Sequence, residues 1–195
     1  MSTGVVREEA TAWDVAGVST VLERSVTEGG RRLLELIEAS PVLLVFLRHA
    51  GCTFCREALA DIAQVREEIE STGTHIVLVH MGDREELGEL AHRHHVQTLD
   101  RICDPDRELY RAFGLKQGKW RQLFGPKVWL RGVFAGLGRG HGLGRPSADV
   151  RQMPGVFYVD QGVIARAYRH KSAADRPQYR ALCSAKLPKD GHAGR

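Results

Sequence analysis

Six consecutive apolar residues, Val42-Leu43-Leu44-Val45-Phe46-Leu47, run through Arg48-His49-Ala50-Gly51 into Cys52-Thr53-Phe54-Cys55. A short, β-branched apolar run of this kind is a strand covered on both faces, as in the middle of a helix-covered sheet. Beyond the cysteines the period changes. Ala58, Leu59, Ile62, Val65 and Ile69 form one apolar stripe, with Arg56, Glu57, Asp61, Glu67 and Glu68 expected to face water. A buried strand, a tight turn and an amphipathic helix opened by two cysteines are therefore fixed before anything else is read.

The flanking segments extend this pattern. Leu33, Leu34 and Ile37 predict a helix over 31–40 that Pro41 ends, because proline disfavours the helical conformation of the residue before it. Gly73 closes the cysteine helix, and His75-Ile76-Val77-Leu78-Val79-His80-Met81 is a second buried strand. Gly82-Asp83 leads to a third helix with Leu87, Leu90 and Ala91 inside. Ile102-Cys103 is short and extended. Asp104 is expected to cap a helix with Pro105 at its first position, Leu109, Tyr110 and Phe113 inside and Gly114 as its stop. Residues 155–159 and 163–168 flank Asp160-Gln161-Gly162 as a hairpin, and a last helix is expected from near Ser172 to before Pro188. Alternating strands and helices imply parallel pairing, and the hairpin adds antiparallel strands. The expected architecture is α/β: a central mixed β-sheet flanked by helices on both faces. Residues 1–25 are an arm or an early turn and helix, 26–185 one domain, and 186–195 a flexible tail.

Within that domain, 116–152 is an insertion before the last hairpin. It carries eight Lys or Arg residues against one acid, Asp149, and interleaves Trp120, Phe124, Trp129 and Phe134 with them. Glycines alternate from Gly136 to Gly144, but without the spacing of a phosphate loop after a strand. A helix beside the site with a glycine loop as lid is favoured over a nucleic-acid or membrane contact. The chain's formal charge of +4 alone does not argue for nucleic acid. No apolar run approaches the roughly 20 residues of a membrane helix. No charged-then-apolar leader pattern opens the sequence, so a cytoplasmic protein is expected. His92, His94 and His95 are expected as a surface cluster at a helix end, not a metal site.

In a reducing compartment a close cysteine pair is more often catalytic or metal-binding than a structural staple. At a helix N-terminus, unpaired backbone N–H groups and the dipole favour a thiolate, the species that attacks disulfides. Cys52 is the expected nucleophile. Cys55, one turn on, is the expected resolving thiol that frees the partner from a mixed disulfide. Arg48 and His49 add positive or proton-accepting character, and Thr53 completes the turn. The competing reading is half a zinc site. Zinc requires two further ligands, and with no second such pair only His49, His80 or Cys103 remain, with no spacing rule to select them. Cys103 and Cys183 are expected to be small, partly buried thiols. No cofactor or metal is expected.

The stretch Phe46 to Glu57 resembles the strand–turn–helix of AhpC/TSA-type peroxiredoxin-like proteins, in particular the SelL-related redox proteins. Asp104 to Leu115 and Gln152 to Asp160 continue the resemblance. It implies a thioredoxin-like fold and redox chemistry on the cysteine pair. It also implies a cis bond at Met153–Pro154, with Pro154 packed against the cysteines. The PxxxTxxC pattern of true peroxiredoxins is absent: Val45 and His49 stand in those places before Cys52, and Arg48 and Cys52 before Cys55. The expected activity is thus thiol-disulfide exchange, with a disulfide-bearing protein or small oxidant as substrate. The expected reductant is a thioredoxin-type or low-molecular-weight thiol. The alternatives are a thiol peroxidase, with Cys52 attacking peroxide, and a non-enzymatic partner- or zinc-binding protein.

Overall fold

The computed structural model describes residues 15–118, 151–171 and 175–183. In chain order these form α1 (Val15–Arg24), α2 (Leu33–Ala39), β1 (Val42–Phe46), α3 (Thr53–Ser71), β2 (His75–His80) and α4 (Arg84–Arg93). Next come β3 (Asp100–Cys103), α5 (Glu108–Ala112), β4 (Gly155–Asp160), β5 (Val163–Arg169) and α6 (Tyr179–Cys183). The strands make one sheet in the order β3-β2-β1-β4-β5. β1 pairs parallel with β2 and antiparallel with β4; β2–β3 is parallel and β4–β5 antiparallel. The apolar run from Val42 is the central strand, every residue buried.

Side chains alternate across β1, so its run serves two cores. Leu43, Val45 and Leu47 join α3, α4 and α6 on one face, with Cys52 and Cys55 in the same cluster. Val42, Leu44 and Phe46 join α1, α2 and α5 on the other, where Phe46 meets Tyr110, Phe113 and Phe157 at ring separations of 5.0, 5.2 and 5.5 Å. Both faces of the sheet are thus covered by helices, as the alternation of elements predicts.

Three local details differ from the sequence reading. Asp104 does cap a helix, but one that starts at Glu108: its carboxylate accepts from the N–H groups of Glu108, Leu109 and Tyr110. Pro105 lies in the turn before it, and Arg107 adopts a left-handed conformation (φ 59°) to redirect the chain into the helix. The last described helix starts at Tyr179 and residues 175–178 before it are non-helical, so it does not run on from Ser172; Ser172 itself and the expected tail 186–195 lie outside the described residues. The Met153–Pro154 bond is trans, since no cis peptide occurs among the described residues. Pro154 immediately precedes β4, and its carbonyl accepts from the His170 N–H.

The ends of the basic insertion are described, and its interior, 119–150, is not. Gln117 and Gln152 form an antiparallel bridge, the Gly118 N–H donates to Arg151 O (2.6 Å), and the Gln152 side chain donates to Leu115 O (3.2 Å). These bonds close the insertion at its base immediately before Pro154. Gly155, opening β4, has no room for a side chain: a Cβ would stand 2.6 Å from Leu115 Cδ2. The hairpin turn holds both central residues at positive φ, Gln161 at 51° and Gly162 at 74°, the geometry whose twist matches paired strands.

Candidate active site

β1 ends at Phe46, and residues 47–52 turn the chain so that Cys52 becomes the N-cap of α3. Cys52 carries extended backbone (φ −81°, ψ 118°), and its carbonyl accepts from the N–H groups of Cys55 (3.0 Å) and Arg56 (3.1 Å). The turn is held from below by Tyr110, which is fully buried and whose hydroxyl bonds the carbonyls of Leu47 and Val79. Cys55 lies in the first turn of α3, as the two-residue spacing predicts.

The two thiols sit in one pocket of charge yet are driven apart. Cys52 is lowered to about 6. The Cys55 thiol, hydrogen-bonded to the Cys52 sulfur, contributes most to this shift; Arg48 and the backbone N–H groups of Cys55 and Phe54 add to it, against the opposing effect of burial. Cys55 is raised well above its ordinary range, first by burial and then by its bond and charge coupling to Cys52. The Arg48 guanidinium lies with Nη1 3.7 Å from Cys52 Sγ, while the Arg48 backbone N–H donates to Cys55 Sγ at 3.1 Å. One residue therefore touches both sulfurs, through side chain and main chain respectively. At pH 7 the arrangement is a thiolate at Cys52 backed by a neutral thiol at Cys55. Both are buried, Cys52 the less so, at 7% against 3%.

The other expected site residues divide. Thr53 is the buried first residue of α3. His49 is buried and its pKa falls to about 4, through burial first and then Arg48 and Arg56. At neutral pH it is therefore uncharged, and the cation of the pair is Arg48 alone. Pro154, although trans, lines the cavity beside Cys55, and the adjacent Met153 packs against Phe54. Cys103 lies apart, at the end of β3, with Sγ donating to Gly82 O (3.5 Å). Cys183 is on α6, where burial pushes its thiol up to about 12. All four cysteines are free thiols. Among the described residues no group of three or more His, Cys, Asp or Glu side chains is placed to hold a metal ion. His92 and His95 are exposed around the end of α4, and no helix among the described residues is long and apolar enough to cross a membrane.

Glu57 overturns the sequence reading of its helix. It does not face water: its side chain is 5% exposed and its Oε1 lies 3.0 Å from Arg176 Nη1. Arg176 also grips Asp61 through Nε (2.9 Å) and Nη2. Glu57, Asp61, Arg176 and Tyr179 share the cavity with Cys55. No periodicity could show this, because the partner lies more than 100 residues away in the chain; only the helical spacing of Glu57 and Asp61, four apart on one face, hinted at a shared cation.

A cysteine pair opening a helix at the end of a central strand, in a mixed sheet covered on both faces, defines a thioredoxin-fold protein. The chain belongs to the AhpC/TSA antioxidant enzyme family, whose model matches residues 61–173, from within α3 onward. Among curated proteins it is similar to Peroxiredoxin-like 2C of Bos taurus, 26% identical over 100 residues, and of Mus musculus, 27% identical over 124 residues. These matches take in 46% and 49% of this chain, which spans only 40% and 50% of those relatives. In fold it is similar to Xanthomonas campestris peroxiredoxin Q (TM-score 0.52, 15% identity, 74% of this chain and 78% of that one). It is similar too to a secreted Mycobacterium tuberculosis disulfide oxidoreductase (TM-score 0.51, 11% identity, 83% and 92%). Peroxiredoxins and disulfide oxidoreductases thus lie equally near in backbone.

Proposed function

We propose that this protein is a thiol-disulfide oxidoreductase in which Cys52 attacks and Cys55 resolves. The observation that carries this reading is the opposed pair itself: a thiolate at Cys52 hydrogen-bonded to a neutral thiol at Cys55, one helical turn away. Exchange needs a nucleophile that is ionised at working pH and a second thiol within reach of the mixed disulfide. The thiolate of Cys52 attacks one sulfur of a substrate disulfide and expels the other as a thiol. Cys55 then attacks Cys52, forming the Cys52–Cys55 disulfide and releasing the second thiol, so two electrons pass from the pair to the substrate. A thioredoxin-type or low-molecular-weight thiol returns the pair to the dithiol, and the reducing cytoplasm is the compartment that suits this cycle.

A second reading is a thiol peroxidase, and one observation favours it. The Arg48 guanidinium beside Cys52 is a positioned donor for the charge that develops on oxygen as an O–O bond breaks. It partly replaces the missing Thr or Ser of the PxxxTxxC pattern, and the family itself is one of antioxidant enzymes. The two readings separate in a side-by-side measurement of turnover of a disulfide substrate and of hydrogen peroxide with one reductant. Faster disulfide turnover, lost in Cys52→Ser, supports exchange. Much faster peroxide turnover, lost in the same variant, replaces it with peroxidase.

A further inference from the structure

Away from the cysteine pair, a buried histidine and a partly exposed thiol stand side by side. His80 ends β2, Cys103 ends β3, and the two are partners in the parallel register. Residues so paired point to the same face of a sheet from strands about 5 Å apart. They also share one neighbour: the Gly82 carbonyl accepts from Cys103 Sγ at 3.5 Å, and the Gly82 backbone lies against the His80 ring. The two nitrogens of that ring are placed differently. Nε2 lies 3.3 Å from Glu28 Oε1, and a carboxylate only accepts, so the ring proton belongs on Nε2. Glu28 is held in turn by Arg101 Nε at 2.8 Å from its Oε2. Nδ1 is buried without a hydrogen-bond partner, on a side chain only 1% exposed. Burial, opposed by Glu28 and helped by Arg101, lowers the His80 pKa from its ordinary 6.5, so the ring is uncharged at neutral pH and Nδ1 carries a lone pair. A buried acceptor with no donor is rare in a folded protein and calls for an explanation. The other titratable groups around Cys103 are committed elsewhere. Asp104 caps α5, and the buried Tyr110 hydroxyl bonds the Leu47 and Val79 carbonyls.

We propose that Cys103 is a second redox site, separate from the Cys52–Cys55 pair, that forms a mixed disulfide with a low-molecular-weight disulfide. His80 Nδ1 is its proton acceptor, and Glu28 is the positioning residue that fixes the tautomer of the ring. The step conserves protons and electrons. The Cys103 thiol proton turns from Gly82 O to His80 Nδ1 as the sulfur attacks one sulfur of the small disulfide. The Cys103–sulfur bond forms and the S–S bond of the small molecule breaks. Its other sulfur leaves with the electron pair and takes the proton from His80 Nδ1. Cys103 is oxidised, the small disulfide is reduced to one free thiol, and His80 ends as it began.

The test treats the full chain with dipyridyl disulfide, a neutral probe, and follows the modification of each cysteine by peptide mass spectrometry after an acid quench. In the parent, Cys103 should be modified at a rate that changes less than about twofold between pH 6.5 and about pH 7.5, because the uncharged ring already serves as base there. In His80→Gln that rate should fall at least ~10-fold at pH 7 and then climb about tenfold per pH unit, as expected when only the free thiolate attacks. A folded His80→Gln protein with the parent's rate and pH profile at Cys103 overturns the proposal. Should that variant fail to fold, nitrogen-15 NMR of the histidine rings in the parent decides the matter. At pH 7 His80 should carry its proton on Nε2 and none on Nδ1, and the opposite tautomer overturns the proposal. In Glu28→Gln the second tautomer should appear and the Cys103 rate should fall about threefold; a single tautomer with an unchanged rate overturns the role of Glu28. In Cys52→Ser the modification of Cys103 should persist. Its loss there would mean that Cys103 receives the group from Cys52, which also overturns the proposal.

Discussion

The two faces of the sheet are built from alternate residues of the same strands and could hardly differ more. Phe46 turns to one side, into a cluster of rings with Tyr110, Phe113 and Phe157, where the tyrosine hydroxyl bonds the Leu47 carbonyl at the end of β1. Val45 and Leu47 turn to the other, beside Cys52, Cys55, Arg48, His49 and Glu57, all buried. The ring face holds strand ends in place; the cysteine face holds charge in place. The candidate site lies on the side where a strand end meets a helix N-terminus, since there backbone N–H groups are available to stabilise an anion without another side chain.

Three measurements break or sharpen this division. The largest expected effect lies on the ring face. Phe46→Ala should cost about 3–5 kcal/mol of unfolding free energy, the usual range for an aromatic removed from a tight core, while the thiolate absorbance of Cys52 still titrates near pH 6. If that titration moves by a unit or more, the faces are not independent.

The next lies at His49, whose folded pKa of about 4 is below its ordinary 6.5. A histidine lowered in this way resists protonation in the folded state, so its contribution to stability is complete above pH 6.5. That contribution is lost as pH falls toward 4, by up to about 3 kcal/mol at ~1.4 kcal/mol per unit. Chemical denaturation of the parent and of His49→Asn at pH 7 and pH 4 should therefore differ in their acid loss by about that amount, with the parent losing more. Parallel losses would mean that His49 is hydrated and charged.

The smallest is at Arg48. Replacing its guanidinium by the methionine side chain should raise the Cys52 pKa by about one unit, as expected when one opposite charge a few ångströms away is removed. Unfolding free energy should change far less than for Phe46→Ala. The measurement is the pH dependence of alkylation at Cys52. An unmoved midpoint would assign the whole shift to Cys55 and the helix backbone.

How much of this was legible in the sequence depends on distance along the chain. The central strand, the cysteine turn and the stripe from Ala58 to Ile69 are written within about thirty residues, and so is the third helix after Gly82-Asp83, where Asp83 caps α4 by accepting from the N–H groups of Glu85 and Glu86. The hairpin at Gln161-Gly162 is equally local. The misreadings all turn on partners or torsions that local spacing does not encode. Glu57 looks solvent-facing until Arg176 arrives. Asp104 caps at longer range than a simple N-cap because Arg107 takes a left-handed step. Pro154 stays trans although it stands where the resemblance implies a cis bond. That Arg48 would reach Cys52 with its side chain and Cys55 with its backbone could be seen only once the turn was folded.

The grip of Arg176 on Glu57 and Asp61 has a consequence for the order in which the molecule is made. A ribosome delivers the cysteine turn and its helix early, and nothing in their local pattern waits for the C-terminal residues. The environment of Cys55 is finished only after residue 176 has emerged and docked. During synthesis a nascent chain therefore carries both cysteines before the ion-pair cluster of Glu57, Asp61 and Arg176, which lines the cavity beside Cys55, is able to form.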